Sequence, residues 1–412
     1  LTTTRGAALY IGALLGPGLL LLPGLAAAEA GPASVLAWAG LLILSGLFAV
    51  VFGSLGRRFP SAGGVIGYVR AGLGRRASAI AGWSFLAGVV AGAPVVCLIG
   101  AGYVTELTGG GRLGRALIAA VLLLAVMALA AGGLRASATA QLLLVGLLLA
   151  VVVVAVIGSA GSSRAANWAP FAPHGWQAVG HAASTLMLSF VGWEAVAPLT
   201  TRFTSPSRQL PRVIGSALAV TSVLYLGLAI ATISVLGTGA GISAPLAALL
   251  RDAAGPAGGV AAAVAAVVLT LGAVNAYVTG ATEMAVELTR PGGDRPAAGA
   301  VTRPAPRFLA AIAASGFALI SLYGLGLVSP AALVAIPTTL FLVVYLGCMA
   351  SAARVLHGPA RLAAAPAAVI VAVVLAFCGW ALLAPLALIL AVGCARPVAL
   401  AVGRMRKRYE SR

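Results

Sequence analysis

The chain has 412 residues, 61% of them hydrophobic and 8% charged, and a mean hydropathy of +1.09. Soluble domains carry roughly 25% charge, so this composition excludes one and identifies an integral membrane protein whose surroundings are the lipid bilayer. The 26 Lys and Arg against 8 Asp and Glu have no folded soluble face from which to bind nucleic acid, and that class of partner is excluded as well.

A helix needs about 20 apolar residues to cross the hydrocarbon core. Cutting the chain at its charges, prolines and glycine clusters predicts twelve transmembrane helices, near 7–29, 33–56, 77–104, 114–133, 136–158, 178–199, 212–236, 259–288, 307–325, 330–354, 362–381 and 383–402. The apolar run from Ala7 is read as the first span, since it lacks a small-residue cleavage site. The last boundary is the least marked, because only Leu382 separates spans eleven and twelve. With a cytoplasmic N-terminus, 22 of the 26 basic residues fall inside and only Arg112, Arg115, Arg164 and Arg251 outside. The positive-inside rule therefore sets both ends in the cytoplasm. The longest interruptions, 159–177, 237–258 and 289–306, are too short to bury a core of their own. One membrane domain over 1–412 is expected, ending in a basic cytoplasmic tail at 403–412.

Span one carries Gly16-Pro17-Gly18 in its middle, and span six carries Ser189-Phe190-Val191-Gly192-Trp193-Glu194. A break at mid-depth survives only where the released amides and carbonyls face protein or a water-filled cavity. A glycine pair also serves close helix packing, but Pro17 and the second break five spans later argue against that use. Paired breaks at corresponding positions mark spans 1–5 and 6–10 as inverted repeats with a transport site between them. The amides of Gly18, Leu19 and Leu20, at the positive start of a half-helix, suit a carboxylate. The carbonyls around Leu188 to Phe190 suit an ammonium group. A zwitterion fits between them without any charged side chain.

Cys97, Cys348, Cys378 and Cys394 lie in separate apolar stretches and read as packing residues, so neither a disulfide nor a metal site is expected. Span eight brings Asn275, Tyr277, Thr279 and Thr282 into an apolar setting, and Asn275 and Thr279 are four apart and share a face. They either line the site or hydrogen-bond between helices. Glu283 and Glu287, with Arg290 in reach, read as a solvated cluster at a helix end.

Four motifs carry a resemblance: Leu15-Gly16-Pro17-Gly18-Leu19, Phe59-Pro60-Ser61-Ala62-Gly63-Gly64-Val65, Ser189-Phe190-Val191-Gly192-Trp193-Glu194-Ala195, and Ser205-Pro206-Ser207-Arg208-Gln209-Leu210-Pro211-Arg212. In this order they resemble the helix-1 break, first cytoplasmic loop, helix-6 break and loop into helix 7 of the amino acid, polyamine and organocation superfamily. The bacterial branch that exports methionine and branched-chain amino acids is the most similar. The resemblance implies an all-α, leucine-transporter-like fold: two inverted five-helix repeats (1–158 and 178–354) with helices 1 and 6 broken, plus two peripheral helices (362–402). It implies that Gly16, Pro17, Gly18 and Leu19 hold the substrate carboxylate, and that the carbonyls near Ser189, Phe190 and Gly192 hold its amino group. Phe190 and Trp193 are then pocket wall or gate, or else aromatics facing lipid or core. The chain departs from the family pattern at Leu188, where many relatives have an aromatic gate, and at Arg202, where relatives often have an acid.

Glu194 is an ionisable group within a span and hence a functional candidate. Either it couples transport to protons, or it caps the unwound backbone or pairs with an Arg. No cofactor is expected. A proton gradient is the preferred driving force, with a sodium site in helices 1 and 8 left open. A cationic substrate needs a carboxylate or aromatic face for its distal charge, whereas the Ala, Val, Leu, Gly and Phe available suit the side chains of Met, Leu, Ile or Val. The expected function is therefore secondary transport of neutral, mainly apolar amino acids across the cytoplasmic membrane, with export suggested by the resemblance. The alternative is an importer or exchanger, and a channel is a more distant one. His174, His181 and His357 form no catalytic cluster with the acids, so no enzyme is expected.

Overall fold

The computed structural model describes residues 3–16, 18–59, 64–132, 138–195, 203, 206–241, 244–289 and 304–392. Pro17, residues 60–63 of the first loop motif, Arg202, Arg290 and the tail at 403–412 lie outside the described residues. Among those described, every regular element is helical.

The helices are α1 (Thr3–Leu14), α2 (Gly18–Ala30), α3 (Ser34–Arg58), α4 (Gly64–Thr108), α5 (Gly111–Ala131), α6 (Ala138–Gly158), α7 (Gln177–Leu186), α8 (Pro206–Ala231), α9 (Pro245–Thr289), α10 (Pro306–Gly324), α11 (Pro330–Val355) and α12 (Pro359–Ala376). Their ends follow helix-terminus chemistry. Arg57 and Arg58 close α3, where the dipole is negative. Pro330 opens α11, and the Ser329 side chain accepts the Ala332 amide at 3.2 Å.

Nine helices among the described residues are long and apolar enough to cross a membrane, against twelve expected. Each difference has a local cause. The helical stretch Gly18–Arg58 counts as one although a tight turn at Gly31–Ala33, with Gly31 at φ +60, interrupts it, span six is too fragmented to qualify, and only 383–392 of span twelve is described. Spans eleven and twelve part slightly earlier than expected, at a turn over 377–378 followed by a tight turn at Gly379–Leu382.

Two helices are longer than the spans they contain. α4 kinks at Gly74, giving a ten-residue lead at 64–73, and α9 kinks at Ala254 and Gly255. Gly255 has φ +64, a conformation that side chains resist, and Pro256 behind it cannot donate to the preceding turn. The short arm of α9 at 245–253 lies within a segment expected to be loop, yet it buries Leu246, Leu249 and Leu250. Its apolar residues recur every three to four positions, which is the signature of a one-sided helix.

The centre of the molecule is α4, packed along α11 and α9. α1 lies against α8, α2 against α7, and α12 against α11 and α3. Ile43, Leu143, Ile157, Val223, Val264, Val369 and Leu390 point outward, an apolar exterior that only lipid solvates well.

The segment between α6 and α7 folds back over one end of the molecule. It is tied to Ser234, which lies in the π-turn Thr232–Leu236 following α8. The Ser234 carbonyl accepts the Arg164 amide at 2.9 Å and Asn167 Nδ2 at 2.8 Å, while its hydroxyl accepts Trp168 Nε1 at 3.0 Å. The wider π-turn releases a carbonyl from the helical ladder, and the covering segment uses it. Arg115 is 5% exposed. It donates from Nε to the Leu98 carbonyl at 2.8 Å and stacks on Tyr323, joining α5, α4 and α10.

Candidate functional site

The first break falls where the sequence placed it. α1 stops at Leu14, Leu15 bends, Gly16 is coil, and α2 restarts at Gly18. The Leu19 amide, one of the three expected to be available, donates to the Gly16 carbonyl at 3.2 Å. That leaves Gly18 and Leu20 as first-turn amides with no carbonyl of their own helix to reach.

The second break is longer. α7 ends at Leu186, the chain tightens into a turn at Met187–Phe190, runs extended through Val191, and turns again over Trp193–Ala195. Gly192 has φ +144, a backbone state nearly closed to other residues.

The two breaks meet. A Cβ placed on Gly18 would lie 3.1 Å from the Ser189 hydroxyl and 2.9 Å from Leu22 Cδ1. Ser189 is 1% exposed, and its hydroxyl has no hydrogen-bond partner among the described residues. Tyr225, on α8, stands between the two broken ends. Its hydroxyl is 2.7 Å from the Leu14 carbonyl, at the end of α1, and 2.7 Å from the Ser189 carbonyl. A single proton serves both acceptors.

Glu194 is buried and holds the second break together. The Tyr345 hydroxyl, from α11, donates to Glu194 Oε2 at 2.5 Å and accepts the amides of Gly192 and Trp193 at 3.0 and 3.1 Å. The Gly192 amide also reaches Glu194 Oε2, at 2.9 Å. Of the two uses open to Glu194, capping of unwound backbone is present in this arrangement, with Tyr345 as its partner.

Beside the first break opens a small, mainly apolar cleft, the lining usual for a small-molecule site. The breaks contribute Gly16, Gly18 and Leu188. α4 contributes Gly88, Val89, Gly92, Ala93 and Val96, α9 contributes Val274 and Tyr277, and α11 contributes Phe341. Leu188 thus faces the cleft at the position where the resemblance leads one to look for an aromatic gate.

The remaining sequence-derived candidates surround the cleft rather than line it. Leu19 is fully buried in the core. Phe190 packs its ring against Trp38 and Tyr225, at centroid distances of 5.8 and 5.2 Å. Trp193 is fully buried and donates from Nε1 to Ser45 Oγ at 2.9 Å. Asn275 is buried, and the Thr279 hydroxyl turns back onto the Asn275 carbonyl at 2.8 Å. That self-contact is an ordinary use of Thr within a helix. α9 does face the cleft, but through Val274 and Tyr277.

Tyr225, Tyr345, Gly88, Gly92 and Phe341 were not foreseen, and Tyr277 stood out only as one of the polar groups in span eight. Each sits in an unbroken apolar span whose local pattern resembles that of its neighbours. The available signal was the hydroxyl on each tyrosine, since a buried phenol usually has a partner.

Comparison with known proteins gives the family. The family model described as amino acid permease matches residues 1–391. An uncharacterized amino acid permease of Bacillus subtilis (strain 168), YecA, is 33% identical over 391 residues, 93% of this chain and 92% of that one. The L-methionine/branched-chain amino acid exporter YjeH of Escherichia coli (strain K12) is 30% identical over 384 residues, 91% of each chain. The crystal structure of MhsT in complex with L-phenylalanine superposes with a TM-score of 0.64 over 93% of this chain and 99% of that chain, at 14% identity, and so shares the fold. The chain belongs to the amino acid permeases of the amino acid, polyamine and organocation superfamily: it is a multi-pass membrane transporter of amino acids.

Proposed function

We propose that this permease is a secondary active transporter of neutral, mainly apolar amino acids such as Met, Leu, Ile and Val, and that it exports them across the cytoplasmic membrane by alternating access coupled to protons. The observation that carries the reading is the meeting of two helix breaks at one apolar cleft. In this reading the substrate carboxylate takes the amides of Gly18 and Leu20 with the Ser189 hydroxyl, at the positive end of α2. The ammonium group takes the carbonyls of the turn at 187–190, each of which keeps a second lone pair. The walls exclude water and receive the side chain.

Glu194 serves as the coupling group because its carboxylate is an acceptor for both the Gly192 amide and the Tyr345 hydroxyl. Both contacts fall on Oε2, so a proton placed on that oxygen turns it into a donor, its contacts rearrange and the break changes shape. Export is supported by the name of the E. coli relative. Two five-helix repeats (1–158 and 178–354), related by inversion, are the architecture this mechanism uses.

The test is uptake and counterflow of labelled Met, Leu and Arg in proteoliposomes, with proton and sodium gradients imposed separately. Met and Leu should exchange, and a proton gradient should drive net flux. Competition by Arg equal to that by Leu overturns the neutral-substrate assignment, drive by sodium alone overturns proton coupling, and conductance without exchange makes the protein a channel.

A further inference from the structure

The cleft is lined by hydrocarbon and glycine except at one place. Among the described residues that line it, Tyr277 is the only one whose side chain carries a polar atom. Its ring stands 6.4 Å from that of Phe341. Phe341 is itself fixed, 5.6 Å from the Phe85 ring and so close to α4 that a Cβ on Gly88 would sit 3.1 Å from its Cζ. Packing therefore sets the direction of the Tyr277 ring. No described residue hydrogen-bonds its hydroxyl, whereas Tyr225 and Tyr345 each use theirs on the breaks.

Tyr277 is half-buried and lines the cleft, so its hydroxyl, without a described protein partner, is open to a hydrogen bond from what the cleft holds. Here the cleft is the place from which a partner can come. On the transport reading proposed above, from which this inference starts, the zwitterion is held at the breaks by main-chain groups. The part of the substrate against α4, α9 and α11 is then its side chain. The side chains of Leu, Ile and Val have no acceptor. The thioether of Met has one, a weak acceptor carried on an unbranched chain.

We infer that Tyr277 is a specificity-determining residue, whose hydroxyl donates a hydrogen bond to the thioether sulfur of methionine and so favours Met over a hydrocarbon side chain of the same length. The discriminating probe is norleucine, which replaces the sulfur by a methylene. Competition against labelled Met counterflow is measured with Met and norleucine in the wild type and in Tyr277→Phe. The wild type should prefer Met about two- to tenfold, the range of a neutral hydrogen bond, and the variant should bring the ratio close to one.

A purely structural role for Tyr277 changes both affinities together and leaves the ratio intact. That outcome overturns the inference, as does a ratio unmoved by the substitution at unchanged affinities. If the variant does not fold, the wild type still decides, because equal affinity for Met and norleucine leaves the hydroxyl nothing to read. A wild type that binds neither compound refutes the transport reading itself, a different failure from binding both equally.

Discussion

At the scale of single residues the glycines of the first break are not equivalent. A Cβ on Gly16 meets nothing within 4 Å, whereas one on Gly18 runs into Ser189 and Leu22. Gly16→Ala should leave the fold intact and narrow the cleft by one methyl group. Gly18→Leu should abolish amino acid binding by forcing the breaks apart, and methionine binding retained by a folded Gly18→Leu protein counts against the carboxylate site. Glu194→Gln keeps the shape of the side chain and removes its titration, so the pH profile of methionine flux should flatten. An unchanged profile removes Glu194 from the coupling role. Trp193→Phe separates packing from binding: loss of the Ser45 contact should lower stability by about 1 kcal/mol in thermal unfolding.

At the scale of elements, single hydroxyls join pieces that the sequence keeps far apart. Tyr225 ties the end of α1 to the second break, so Tyr225→Phe should release two carbonyls at once. The expected result is a shift in the balance of inward- and outward-facing states, read as altered accessibility of cysteines introduced beside the cleft. At the far end of α2, the Thr185 hydroxyl bonds both carboxylate oxygens of Glu29, at 2.9 and 3.0 Å, locking α2 to α7. Thr185→Val should weaken that lock in the same assay while leaving the breaks in place. The breaks themselves were legible because Gly-Pro-Gly and Gly192 violate helix chemistry where a helix was required. Tyr225 and Tyr345 were not legible, because an aromatic in an apolar span satisfies every local rule and its meaning depends on which distant helix it faces. The helical arm at 245–253 was hidden for a related reason, since the glycine and proline that punctuate its far end also read as loop.

At the scale of the whole molecule, the arrangement of basic residues predicts the sidedness that governs the direction of transport. Ser163, in the segment covering one end, is expected outside, and His357, between α11 and α12, is expected inside. A cysteine at 163 should react with a membrane-impermeant maleimide on intact cells, and one at 357 only after permeabilisation. The reverse pattern inverts the topology. Cys97, Cys348 and Cys378 are buried and should contribute little background. Composition alone settled the membrane class, and spacing placed most helix ends within a few residues. The count of spans was harder to read, because a broken span and a tight turn between two helices blur what one crossing is.

Among the described residues lining the cleft a single side chain carries a polar atom, and this has an evolutionary consequence under the transport reading. The feature common to all amino acids is gripped by peptide groups, which no exchange of one side chain can delete. The variable part is met by small and aromatic residues on three other helices. Cargo preference can therefore drift by point substitution at Gly88, Gly92, Tyr277 or Phe341 while the common grip is inherited unchanged, a division of labour that lets one scaffold diversify across many nutrients.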